Sequence, residues 1–116
     1  MKIPLQVKFR NMPFSEAIEA KINDKAARLD RFNDRLTSCR VAVEETQKRH
    51  HQGRMFSVRI DLTVPGKELA VSKQEHEDIY VAIRDAFDAA IRLLDGLDEQ
   101  RRGVVKTHAV PLPDAV

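Results

Sequence analysis

Apolar residues recur along this chain with two periods, and the order in which the periods alternate limits the folds open to it. Ile3, Leu5, Val7 and Phe9 alternate with Lys2, Pro4, Gln6, Lys8 and Arg10, a period of two that marks a half-buried strand over about residues 2–10. Asn11-Met12-Pro13 breaks the pattern. Ser15 then suits a helix N-cap, with Glu16 and Glu19 in the first turn where the helix dipole favours anions. Phe14, Ile18, Ile22, Ala26, Leu29 and Phe32 follow at steps of three and four, which predicts a helix over about 15–32, stopped by Asn33-Asp34. Period two returns in Cys39, Val41 and Val43, and again in Phe56, Val58, Ile60, Leu62 and Val64. These are the second and third strands. Val64-Pro65-Gly66-Lys67 has proline and glycine where a type II turn wants them, leading into a fourth strand over about 68–73 with Leu69 and Val71 inward. Ile79, Ile83, Phe87, Ala90, Leu94 and Leu97 form a last helical stripe from about residue 78 to at least 95. Gly96 is either its C′ residue or an interior glycine of a helix that continues to Gly103.

The order β-α-β-β-β-α, with each strand apolar on one face and each helix along one stripe, predicts a two-layer α+β fold. Two helices pack on one face of a four-stranded sheet, and the other face stays wet. Lys2, Gln6, Lys8, Arg40, Ser57, Arg59, Asp61 and Thr63 are the outward positions. With 116 residues, 42% of them hydrophobic and 33% charged, the chain suits one domain, able to bury roughly two thirds of its unfolded surface. Its extent is read as residues 1–103, followed by a tail over 104–116 that is expected to fray. No apolar run approaches the ~20 residues of a membrane helix, and Met-Lys-Ile-Pro-Leu-Gln lacks a signal core. The reading is a cytoplasmic protein without a membrane partner.

Several chemistries are excluded by composition. Cys39 is the only cysteine, so neither an internal disulfide nor a multi-cysteine zinc site can form, and a buried core thiol is the simpler reading than a nucleophile. The four histidines fit no metal-ligand spacing, and the four glycines stand too far apart for a phosphate loop. Glu75, Glu77 and Asp78 are read as dipole partners at a helix start. No catalytic set, cofactor, metal or small-molecule substrate is expected.

Charge distribution points elsewhere. Residues 1–60 carry thirteen Lys and Arg against seven acids, and residues 61–116 carry seven against eleven; an anionic partner would therefore seek the N-terminal half. Two constellations serve it. Lys21, Lys25, Arg28 and Arg31 make a basic ridge on helix one, at steps of four, three and three, suited to lie along phosphates and release counterions. The other reading is a solvated face paired with Asp24, Asp30 and Asp34. The loop Lys48-Arg49-His50-His51-Gln52-Gly53-Arg54 adds donors with no acid of its own, its histidines gaining charge below about pH 6.5. The other reading there is a solvated hairpin tip. Double-stranded-RNA-binding domains share this order of elements, but they are expected to present lysines at the start of the last helix, where this chain has Glu75, Glu77 and Asp78.

The segments Val58-Arg-Ile-Asp-Leu-Thr-Val-Pro-Gly66, His76-Glu-Asp-Ile-Tyr-Val-Ala-Ile-Arg-Asp-Ala-Phe-Asp88 and Arg28-Leu-Asp-Arg-Phe32 resemble the bacterial ribosome hibernation-promoting factors, also called ribosome-associated inhibitor A proteins and once described as sigma-factor modulators. The resemblance spans about residues 3–102. It implies the same fold and a non-enzymatic function: binding the small ribosomal subunit and its rRNA in the channel used by mRNA and tRNA, and inhibiting translation in stress or stationary phase. By position it carries the rRNA-binding role to Lys25, Arg28 and Arg31, and in helix two to Arg92. Where relatives place further cations along helix two, this chain has Ala89, Asp95 and Gly96, which implies weaker and less salt-sensitive binding. The histidine-bearing loop and Val105-Lys106-Thr107-His108 resemble a subgroup in which the domain can precede a cold-shock domain. The chain is either a free-standing short member or a fragment; it lacks the dimerising C-terminal domain of long members, so direct pairing of ribosomes by that route is not expected, and a monomer off the ribosome is expected. The alternative is a regulatory protein-interaction module that keeps the fold and has lost strong rRNA binding.

Overall fold

A computed structural model describes residues 4–33, 35–46 and 54–107, with side chains described through residue 97. The elements are β1 (Leu5–Arg10), α1 (Glu16–Phe32), β2 (Ser38–Thr46), β3 (Met55–Val64), β4 (Lys67–His76) and α2 (Ile79–Thr107). This is the expected β-α-β-β-β-α order. The sheet is mixed, in the order β1-β2-β3-β4, with β1 parallel to β2 and the other neighbours antiparallel. Inward residues of the strands and the apolar stripes of both helices meet in one core, where Ile22, Leu29, Val41, Val43, Ile60, Leu62, Ile83 and Leu94 are almost wholly removed from water. Both helices therefore cover one face of the sheet. Cys39 lies in that core, fully buried.

Local chemistry places the boundaries. The Ser15 hydroxyl accepts from the Ile18 amide at 3.3 Å, capping α1 as expected. Gly66 has φ +79° in the β3–β4 turn, the left-handed geometry that its type II sequence predicts. Asp78 caps α2, its Oδ1 accepting from the Tyr80 amide at 2.9 Å, and among the described residues no helix is long and apolar enough to cross a membrane.

Five expectations are corrected. Phe14 and Phe32, placed on the core stripe of helix one, are 58% and 48% exposed: Phe14 precedes the cap and leans edge-on against Phe9 at 5.4 Å, while Leu36 closes the core beyond the helix end. β4 is longer than 68–73. Val58 pairs with Gln74 but Ile60 with Val71, so β4 carries an extra residue there, and this bulge interrupts the alternation that a period-two reading follows. Glu75 consequently belongs to a strand, no acid occupies the first turn of α2, and Asp78 caps the helix start. Ser57, expected to be wet, is 3% exposed, enclosed on the outer face between its cross-strand partners Glu44 and Glu75. α2 ends at neither glycine, continuing through Gly96 and Gly103 to Thr107. The expected strand residue Lys2 and tail residues 108–116 lie outside the described residues.

Candidate nucleic-acid interface

Helix α1 presents one face to the core through Ile18, Ile22, Ala26 and Leu29, and the helical repeat then determines where its cations go. Lys21, Lys25 and Arg28 share one flank, and Arg31 drifts round to the back of the helix. A β-α-β unit turns right-handed, which sets that flank above the β1 edge and away from α2. The Phe14 ring against Phe9 of β1 marks the same side. Lys21, Arg28 and Arg31 are exposed and Lys25 is half-buried.

Asp34 lies outside the described residues; among the described ones, the reading in which this ridge is neutralised by its own acids is met at one position. Arg28 Nη2 lies 3.7 Å from Asp24 Oδ2, both side chains more than half exposed, a pair worth under ~1 kcal/mol. Lys21, Lys25 and Arg31 form no ion pair within 4 Å among the described residues. Their charge faces solvent.

Other candidate residues are not all brought to the ridge. Lys48, Arg49, His50 and His51 lie outside the described residues. Arg54, read as a donor without an acid, has one: its Nε stands 3.4 Å from Glu45 Oε2 at the root of the β2–β3 hairpin. Arg92 is exposed on α2 without an ion pair among the described residues. Because β1 and β4 run in the same direction, the two helices that follow them return together. Arg31 and Arg92 thus stand toward the same end of the molecule.

That end holds two cations the sequence reading passed over. Arg35 and Lys67 line a hollow of about 310 Å³ with Asn33, Val64, Pro65 and Leu97. The Asn33 carboxamide oxygen accepts from the Arg35 amide at 2.9 Å, and Gly66 turns the chain so that Lys67 faces the same hollow. Sequence signalled both segments only as a helix stop and a turn, and their meeting depends on the parallel return of the chain. Along the rest of α2, Asp95 and Gly96 are exposed, Ala89 is half-buried, and Arg84 is held by Asp85 at 3.1 Å. Among the described residues no three His, Cys, Asp or Glu side chains converge as metal ligands do. What the arrangement offers a polyanion is a set of exposed and half-buried cations, of which Lys21, Lys25, Arg31 and Arg92 have no ion pair among the described residues.

The family model described as Sigma 54 modulation protein / S30EA ribosomal protein matches residues 5–102. A ribosome hibernation promotion factor of Deinococcus radiodurans is 33% identical over 89 residues, which make up 77% of this chain and 46% of that protein. The chain thus spans about half the length of that relative. In structure it is similar to a ribosomal subunit interface protein from Coxiella burnetii (TM-score 0.71, 14% identity, 83% of this chain and 98% of that one). It is also similar to the Protein Y N-terminal domain of Thermus thermophilus (TM-score 0.66, 27% identity, 84% and 99%).

Proposed function

The chain belongs to the Sigma 54 modulation protein / S30EA ribosomal protein family, and from that premise we propose that it is a ribosome-associated factor of stress or stationary phase, binding rRNA of the small subunit in the mRNA and tRNA channel. Inhibition then needs no chemistry. A folded domain seated in the channel excludes mRNA and tRNA by volume, and phosphate contacts hold it there. The observation that carries this reading is the α1 ridge, where Lys21, Lys25 and Arg31 have no acid within ion-pair distance among the described residues. Arg92, Arg35 and Lys67 extend the cationic surface toward one end.

A second reading, a protein-interaction module without strong rRNA binding, is favoured by α2. Its exposed positions include Asp88 and Asp95 beside Arg92, a balance that repels phosphate about as much as it attracts it.

Sedimentation of a stationary-phase lysate through a sucrose gradient at low salt separates the two. The protein is expected on small subunits or whole ribosomes, and recovery only at the top of the gradient sinks the first reading. The triple variant Lys25→Ala, Arg28→Ala, Arg31→Ala should leave the ribosomal fractions while its thermal midpoint barely moves, because exposed charges contribute under ~1 kcal/mol each to stability. Unchanged cosedimentation of that variant would place the site elsewhere.

A further inference from the structure

The sheet has helices on one face only. On its open face the half built by β1 and β2 is rich in cations, while Glu68 and Glu75 of β4 face the same side opposite Thr63 and Ser57. Gln6, Lys8 and Arg10 of β1 project outward beside Arg40, Ala42 and Glu44 of β2, which pair in turn with Asp61, Arg59 and Ser57 of β3. Neighbouring strands are about 4.8 Å apart and alternate residues about 7 Å, so Lys8, Arg40 and Arg59 surround the small side chain of Ala42. The result is a hollow of about 210 Å³ lined by Gln6, Lys8, Arg10, Arg40, Ala42 and Asp61. Of the acids nearest it, Asp61 pairs with Arg59 at 3.6 Å, while Glu44, opposite Arg10, keeps its charge and accepts from the Asn11 carboxamide at 2.9 Å. Lys8, Arg10 and Arg40 form no ion pair within 4 Å among the described residues, and all three are exposed.

We infer that the β1–β2 half of this open face is a second phosphate-binding surface, continuous around the β1 edge with the α1 ridge, so that RNA is gripped on both sides of the domain. The inference rests on the ribosomal reading above and extends it to a surface that reading does not use. Continuity follows from the fold. The flank bearing Lys21, Lys25 and Arg28 stands above the β1 edge, and Lys8 and Arg10 project from the same edge strand on the other side. The chemistry of the face selects the partner. A protein interface is organised around buried apolar and aromatic anchors, whereas the exposed large hydrophobic residues here, Phe14, Phe32 and Tyr80, belong to the helical layer and its approaches. Cations around a polar hollow suit a phosphodiester, which needs charge and donors but no apolar seat.

The test is a salt series of binding to purified small ribosomal subunits, using the full chain and three variants: Lys8→Ala/Arg10→Ala/Arg40→Ala, Ala42→Glu, and the α1 triple variant. The altered sheet positions face solvent, and thermal midpoints within a few degrees of the parent confirm that each variant is folded. Losing three phosphate contacts should weaken binding at least tenfold and flatten the log–log salt slope by about two to three units. Ala42→Glu places an acid in the middle of the hollow and should weaken binding through repulsion. Parental affinity in both sheet variants, with loss in the α1 variant, would overturn this inference and leave the ribosomal reading standing. Weakened binding with an unchanged salt slope would overturn the phosphate assignment in favour of a ribosomal protein as partner. Absence of binding by the parent would overturn both readings.

Discussion

Cys39 carries its thiol into the core beneath β2, and burial, helped by the nearby Asp61 charge, pushes its pKa from 9.0 up to about 12. A thiol reagent at pH 8 should therefore leave the native protein unmodified and label it fully once guanidinium unfolds it, as followed by mass spectrometry. The sign for stability is also set. Below pH 9 the thiol is protonated folded or unfolded; between pH 9 and 12 the unfolded chain sheds the proton and the native one keeps it, so stability falls across that window. Two glycines make a second residue-level contrast. A Cβ at either Gly66 or Gly96 meets nothing within 4 Å, yet the outcomes should be opposite. Gly66→Ala forces a side chain into φ +79° and should cost about 1–2 kcal/mol, whereas Gly96→Ala in exposed helix should stabilise by about 0.5–1 kcal/mol; urea titration reads both. The burial of Cys39 and the turn at Gly66 were legible in sequence because each depends on neighbours one or two residues away. Ser57 was not, since its enclosure comes from Glu44 and Glu75 on two other strands.

Among the elements, α1 is the one read most fully, because Ser15, the core stripe and the basic ridge all repeat within a single helix. Phe14 and Phe32 keep the spacing of that stripe but lie beyond its buried ends, Ile18 and Leu29. β4 resisted because its bulge inserts one residue opposite Val58–Ile60, which shifts the phase of every position after Val71. α2 was legible as a helix but not in its end, since Gly96 is a breaker only by local preference and Leu94, buried two residues earlier, keeps the helix on the sheet. Of the site, the ridge was visible as a periodic pattern; Arg35 and Lys67 were not, being brought to one end by topology. The acidity of α2 yields a prediction at this scale. Replacing Ala89 by Lys, Asp95 by Arg and Gly96 by Lys changes the charge by four units through two gains and one reversal. If α2 faces rRNA, affinity for small subunits should rise and the salt slope steepen by about two to three units. A slope equal to the parent's would mean that α2 points away from the ribosome and would favour the interaction-module reading.

At the scale of the whole molecule the domain is a plate, 55 × 37 × 19 Å along its principal axes. Helices form one broad side and the open sheet the other, and the N-terminal half of the chain supplies cations to both, which is where its excess of positive charge goes. β1 is the strand at one edge of the plate, and exposed Lys8 and Arg10 guard it against pairing with a second sheet. Its parallel pairing with β2 also orders events in time. Parallel neighbours cannot close through a tight turn, so β1 must wait for all of α1 to be laid across before it finds a partner. β2, β3 and β4 meet through local antiparallel connections and can assemble first. During synthesis β1 leaves the peptidyl-transferase centre ahead of every other strand, yet it is expected to be the last to join the sheet. A nascent chain interrupted before β2 would then display the cations of β1 and α1 with neither of the two surfaces assembled.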